Sequence, residues 1–149
     1  VTRFLPHVTV ACVIERDGRF LLVRELINGQ ERLNQPAGHL EANESLQQAA
    51  RRETLEETGW EVTLTGVVGV DLYQAPANNT TYVRTTFIGT AVRHRPELSL
   101  DVGIIGPVWL SRAQVARAYP QLRSPMVLEV IDDYLAGRRF ALEVVAPDR

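Results

Sequence analysis

Cysteine is nearly missing from this chain of 149 residues, which contains one, Cys12. An intrachain disulfide is therefore excluded, and Cys12, in an apolar segment, reads as a small buried hydrophobe of a reducing compartment. No apolar run approaches ~18 residues, so no membrane-spanning helix is expected. The amino-terminal residues, which do not begin with Met, lack a signal-peptide pattern, and a soluble cytoplasmic protein is the expectation. Charge of one sign is equally scarce: 16 Lys and Arg stand against 18 Asp and Glu, a formal charge of -2, without a long run of either sign. Neither a nucleic-acid partner nor a membrane surface is expected from such a balance. His7, His39 and His94 do not have zinc-like spacing, and structural or solvent roles are expected for His7 and His94. There is no internal repeat, low-complexity tract or linker. With 45% hydrophobic residues, the length suits one domain over residues 1–149 and is too short for two ordinary ones.

The pattern along the chain is mostly strands. His7 to Ile14 is rich in β-branched residues and Arg19 to Val23 is apolar, with Asp17-Gly18 between them suited to a tight hairpin. Asn28-Gly29 marks another turn, and Leu33 to Gly38, with Pro36, predicts an extended path that turns sharply. Val62 to Val70 and Thr80 to Val92 read as strands around a polar loop, Gln74 to Asn79, a plausible specificity element. Pro107 to Leu110 suits a short strand. Ser111 with Gln114 forms a capping box for a helix to about Ala118, and Ser124-Pro125 opens a last helix that Gly137 could end. A mixed α/β fold follows.

One helix, predicted from about Glu44 to Thr58, carries the chemistry. Leu46, Ala49 and Ala50 define its apolar side, yet Glu53 and Glu57 project from nearly that side and Glu56 lies close by in angle. Like charges at these spacings repel by roughly 0.2–0.5 kcal/mol a pair when exposed, and more when partly desolvated. A positive partner is required. Arg52, four residues before Glu56, is placed for an orienting salt bridge, and a hard cation such as Mg²⁺ or Mn²⁺ prefers oxygen ligands and can keep substrate phosphate in its remaining positions. The spacing alone leaves open a solvated face neutralised by Arg51 and Arg52.

Gly38, Glu44, Arg52-Glu53, Glu56-Glu57 and Gly59, with five residues between Gly38 and Glu44 and seven between Glu44 and Arg52, resemble the Nudix box over 22 residues. Trp60 fits the large apolar residue after the last glycine, and Thr54 departs from the family's usual aliphatic residue. The resemblance implies a Nudix α/β/α sandwich around a mixed sheet, with the box forming loop, helix and loop. It implies that Glu53, Glu56, Glu57 and the Gly38 carbonyl bind Mg²⁺ (or Mn²⁺), that Arg52 orients a glutamate, and that Glu44 and Gly59 are structural or outer-shell residues. The reaction implied is attack of water on phosphorus in a diphosphate, with Glu56 as the favoured base and Asp101 favoured over Glu97 for a further carboxylate. Gly103 and Ile105 stand where relatives carry acids.

Pro6 to Val13, Asn34 to Ala42 and Leu122-Arg123-Ser124-Pro125 are similar to one subgroup, the J-type Nudix phosphatases. That likeness implies hydrolysis of nucleoside tri- and diphosphates and of the pyrimidine pyrophosphate precursor of thiamine, and family behaviour suggests a homodimer. Leu33 stands where the subgroup has Trp, an aromatic able to contact a base. Tyr73 and Tyr82 flank the polar loop and could stack on a base. Arg84, in a strand of Thr, Val and Phe, and Arg24 are candidate phosphate contacts. Alternatives are an ADP-ribose or other nucleoside diphosphate-sugar pyrophosphatase, and a non-catalytic nucleotide-binding regulatory module.

Overall fold

A meander of three strands begins the computed structural model, which describes residues 2–148. Strands β1 (His7–Arg16), β2 (Arg19–Ile27) and β3 (Gln30–Asn34) are joined by the turns at Asp17-Gly18 and Asn28-Gly29. Both residues of each turn have positive φ, 52° and 76° in the first and 52° and 75° in the second. These are type I′ values, whose twist matches a right-handed hairpin and which Asp, Asn and Gly tolerate best.

The rest of the sheet is built on β1. A short strand β4 (Ala37–His39) pairs with it antiparallel, and β6 (Thr81–His94) pairs with it parallel. Beyond β6 lies β5 (Trp60–Gln74), and β7 (Ile104–Ser111) pairs with β2. The main order is β3-β2-β1-β6-β5, so the sheet is mixed. The extended path expected over Leu33 to Gly38 is thus the end of one hairpin strand and a second strand that pairs directly with β1, on the edge that β2 also uses further along. That division is set by partners distant in sequence.

Because side chains alternate along a strand, β1 serves two cores. Val10, Cys12 and Ile14 pack with Ala49 and Ala50 of helix α1 (Leu46–Thr58), whereas Val13 packs with Val115 of α2 (Arg112–Arg117) and Val127, Val130 and Ile131 of α3 (Met126–Leu135). The result is an α/β/α sandwich. Leu33, expected where an aromatic could reach a base, is buried in the α3-side core beside Leu122. Among the described residues, no helix is long and apolar enough to cross a membrane.

Helix α1 begins two residues later than Glu44, because Ser45 caps it. The Ser45 hydroxyl accepts from the Gln48 N–H at 3.0 Å and the Gln48 side chain accepts from the Ser45 N–H at 2.8 Å. Gly59 ends the helix at φ 72°, donating its N–H to Leu55. Thr54 leaves no packing defect: it is fully buried and its hydroxyl donates to the Ala50 carbonyl at 2.8 Å. The C-terminal segment then straps this helix down. Phe140 exchanges backbone hydrogen bonds with Val67, and Asp148 binds both Arg51 and the Ser45 hydroxyl at 2.5 Å. Ser45→Ala should lower the unfolding free energy by about 1 kcal/mol. Urea denaturation checks this, and an unchanged midpoint would show that the cap contributes nothing.

Candidate active site

Arg52 is the hub of the α1 end that faces β4. Its Nε and Nη2 donate to the two carboxylate oxygens of Glu44 at 3.0 and 2.7 Å, a bidentate pair. Its Nη1 donates to Glu53 at 2.7 Å and to Glu56 at 3.2 Å, and Nη2 also reaches the His39 carbonyl at 3.0 Å. These contacts raise the Arg52 pKa and hold Glu44 below its usual value. One guanidinium therefore hydrogen-bonds three carboxylates and the last carbonyl of β4, with Glu41 a further ion-pair partner at 3.4 Å. Glu44, in the loop before the helix rather than on it, positions Arg52, and Arg52 positions Glu53 and Glu56.

The carboxylates that converge are Glu53, Glu56 and Asp101, each offering an oxygen within 4.8 Å of the others. Asp101 arrives from the loop after β6, pinned by its own N–H to the Glu56 carbonyl at 3.1 Å. Glu97 does not join them; it pairs at the surface with Arg95. Glu57, expected to converge with Glu53 and Glu56 and only about 40° from Glu53 in helical angle, is not among these three and has a partner of its own. Its Oε1 accepts from the Ala37 N–H at 2.9 Å, clasping β4 to α1. Burial raises the pKa of Glu53 and Glu56, with Asp101 adding to the shift at Glu56, and pushes Glu57 from the usual 4.5 up to about 9. Gly38 lies against this group, and a Cβ there would overlap the Glu53 carboxyl.

This donor set fits a hard divalent cation. Glu53 and Glu56, whose pKa values are raised by burial and by the nearby Asp101, lack positive charge, and Arg52 contacts the first two but not Asp101. Oxygen-only ligands are those of Mg²⁺ or Mn²⁺. Glu53, Glu56 and Asp101 would hold such an ion, with Gly38 close enough for its backbone to contribute and Glu57 within the same acidic end of the cleft.

Glu53, Glu57 and Gly38 lie at one end of a cleft of about 920 Å³. Tyr73, Tyr82 and Arg84 line it, together with Arg123 and Ser124 at the start of α3. Tyr82 stands edge-on to His7 and His39, whose ring nitrogens approach to 2.9 Å. Arg84 is 8% exposed and donates to the Gln35 side chain at 2.9 Å; among the described residues no carboxylate lies within ion-pairing distance. Arg24 is not among the residues of this cleft; it pairs with Glu31 on the exposed β2–β3 hairpin. Glu25 of the cleft, paired with Arg123 at 2.9 Å, and Gln35, buried behind Arg84, were not legible as parts of this region, since nothing local marks which chain neighbours a strand end will meet.

A family model described as the NUDIX domain matches residues 5–129. Phosphatase NudJ of Escherichia coli K12 is 42% identical over 142 residues, covering 95% of this chain and 92% of the relative. A NUDIX hydrolase from Nitrosomonas europaea is 42% identical with a TM-score of 0.93, covering 96% of this chain and 97% of that one. An ADP-ribose pyrophosphatase from Streptococcus suis has a TM-score of 0.68 at 16% identity, covering 89% and 93%, a likeness of fold alone.

The raised pKa of Glu57 sets a pH dependence for the metal-free protein. Its folded value lies above the unfolded one, so its contribution to stability is fully present below about pH 4.5 and is lost as pH rises through about 9. In EDTA, Glu57→Gln should flatten the fall in melting temperature between pH 6 and roughly pH 10; an equal fall in both proteins would contradict the assignment. Gly38→Ala should displace Glu53 and lower kcat by about 100-fold, an effect of misplaced groups, which steady-state kinetics would read.

Proposed function

This chain belongs to the Nudix hydrolase superfamily, and on that premise we propose that it hydrolyses nucleoside tri- and diphosphates and related small pyrophosphates by attack of water on phosphorus. Its general activity is that of a Nudix phosphohydrolase. The observation that carries the finer reading is the convergence of Glu53, Glu56 and Asp101 beside Gly38, next to a cleft also lined by the buried Arg84.

When bound, Mg²⁺ or Mn²⁺ supplies charge neutralisation at the phosphates and a lowered pKa for water. The chain's own groups orient and move protons. Glu56 is the base we favour: it is the more exposed of the helix carboxylates in the group, and burial together with Asp101 raises its pKa toward the range in which a carboxylate accepts protons efficiently near neutrality. Arg52 orients it. We assign Glu53 and Asp101 to metal binding with the Gly38 carbonyl, and read Glu57 as the clasp that holds β4 at the metal end. Arg84 is the phosphate contact, and Tyr73 and Tyr82 are the aromatic walls for a base. We leave Arg24 out of this reading, because it pairs with Glu31 and does not line the cleft.

The kinship with a phosphatase at 42% identity supports a substrate that ends in phosphate over a nucleoside diphosphate-sugar. Likeness to the ADP-ribose pyrophosphatase reaches only the fold. The complete carboxylate set favours an enzyme over a silent binding module. Cys12, free and buried with its thiol pushed up to about 11, suits the reducing cytoplasm.

A substrate panel with Mg²⁺ or Mn²⁺, with products separated, tests the reading. Orthophosphate released stepwise from nucleotides or from the thiamine-precursor pyrophosphate is the expected result. Nucleoside monophosphate with ribose phosphate, formed from ADP-ribose in preference, would overturn it. Glu56→Gln should remain folded and lose about 100-fold or more in kcat; full activity would remove Glu56 from the mechanism.

A further inference from the structure

Arg84 presents an electrostatic imbalance that the reaction scheme leaves unexplained. All 16 cationic side chains are arginines, and a guanidinium cannot readily shed its charge. Arg52 is surrounded by carboxylates within 3.2 Å, but Arg84, though more deeply buried, meets a neutral amide. Asp71, its cross-strand neighbour on β5, attracts it only from beyond ion-pairing distance. Burial lowers the Arg84 pKa to about 10, so the group stays cationic at neutral pH. An isolated buried charge costs several kcal/mol unless something else compensates it.

The amide is Gln35, 1% exposed between β3 and β4. Its Oε1 accepts from Arg84 Nη2 at 2.9 Å while its Nε2 donates to the Val127 carbonyl of α3 at 2.7 Å. This orientation is forced, because a guanidinium can only donate and a carbonyl can only accept. Gln35 therefore ties Arg84, on the central sheet, to the first turn of α3, whose flanking residues Ser124 and Met126 line the same cleft.

We propose that Gln35 is a positioning residue that holds Arg84 as a fixed, un-neutralised site for the substrate's phosphate oxygens, separate from the carboxylates that bind metal. A neutral amide restrains the guanidinium without cancelling its charge; a glutamate at this position would hold it equally well and occupy it. The site completes its charge balance when a phosphate arrives. This rests on the hydrolase reading of the cleft for the identity of the anion, but not for the existence of the anion site.

Two variants separate positioning from packing. Gln35→Glu supplies an internal anion and should raise KM about tenfold or more, the value of one charge-assisted contact, with kcat within about threefold. Gln35→Leu removes both hydrogen bonds without adding charge and should raise KM by a smaller factor, about threefold. A packing role predicts the reverse order, since leucine loses more contacts than glutamate. The second readout is calorimetric binding of an α,β-methylene nucleoside diphosphate in EDTA, where the carboxylates are out of play. The parent should bind at millimolar concentration, and Gln35→Glu and Arg84→Met should not. No metal-free binding by the parent overturns the proposal, as does a Gln35→Glu variant that binds like the parent. Should the glutamate variant not fold, Gln35→Leu decides: a fall in kcat with unchanged KM overturns the proposal and a rise in KM alone supports it. If the parent hydrolyses no diphosphate yet binds the analogue in EDTA, the hydrolase reading fails and the anion site stands.

Discussion

Everything at the acidic end of the cleft depends on the bidentate pair between Arg52 and Glu44. The guanidinium is planar and its donors diverge in fixed directions, so two bonds to Glu44 determine where the remaining donors point. They point at Glu53, Glu56 and the His39 carbonyl. Glu44 is in the loop before the helix, and His39 ends β4. One side chain thereby joins loop, helix and strand, and gives two carboxylates a defined orientation before any ligand binds. Lysine, with a rotatable point charge, would neutralise the same group without setting its geometry.

The same region shows why a fold can tolerate so much buried charge. Glu57 and Arg84 are both deeply placed, and burial shifts each toward its neutral form. They lie on the wall of one cleft but are not an ion pair, so neither cancels the other. Each is instead restrained by a neutral group: Glu57 by the Ala37 N–H, Arg84 by Gln35. Restraint without neutralisation leaves Arg84 cationic and Glu57 largely protonated near neutral pH in the metal-free protein, both on the wall of one cleft. The two buried cores on either side of the sheet provide the stability against which that desolvation is set.

Much of this was readable from residue order, and what was not readable has a common cause. Hairpin turns and helix ends depend on local backbone preferences, so Asp17-Gly18, Asn28-Gly29, the Ser111 capping box and Gly59 could be placed directly. The α1 carboxylates stood out because charge interrupts an apolar helical face. Their grouping was only partly legible. Periodicity groups Glu53, Glu56 and Glu57 by angle, but that Asp101 meets Glu53 and Glu56 while the Ala37 N–H meets Glu57 depends on segments that reach the helix from elsewhere in the chain. Leu33 illustrates the same limit: its side of β3 is decided by pairing with β2 and by α3, so it became core. Gln35 lies in a stretch similar to the J-type subgroup, but neither periodicity nor spacing gives its role, which is defined by one residue 49 positions away and another 92 away.

The sheet topology explains how these distant pieces are held in register. Parallel pairing of β1 with β6 sets Thr9 beside Arg84, and antiparallel pairing of β1 with β4 sets Thr9 beside His39. The anion side and the metal side of the cleft are therefore referenced to the same residue of one central strand. The helix is fixed independently, by its apolar face on β1 and by the C-terminal strap through Asp148, Ser45 and Arg51. A hinge between the two charge centres would have to break β1 pairing, whereas movement of the α3 end or of the loop at residues 75–80 would not. The separation of the carboxylates from Arg84 is therefore set jointly by β1 pairing and by the seating of α1, while Gln35 couples Arg84 to the first turn of α3.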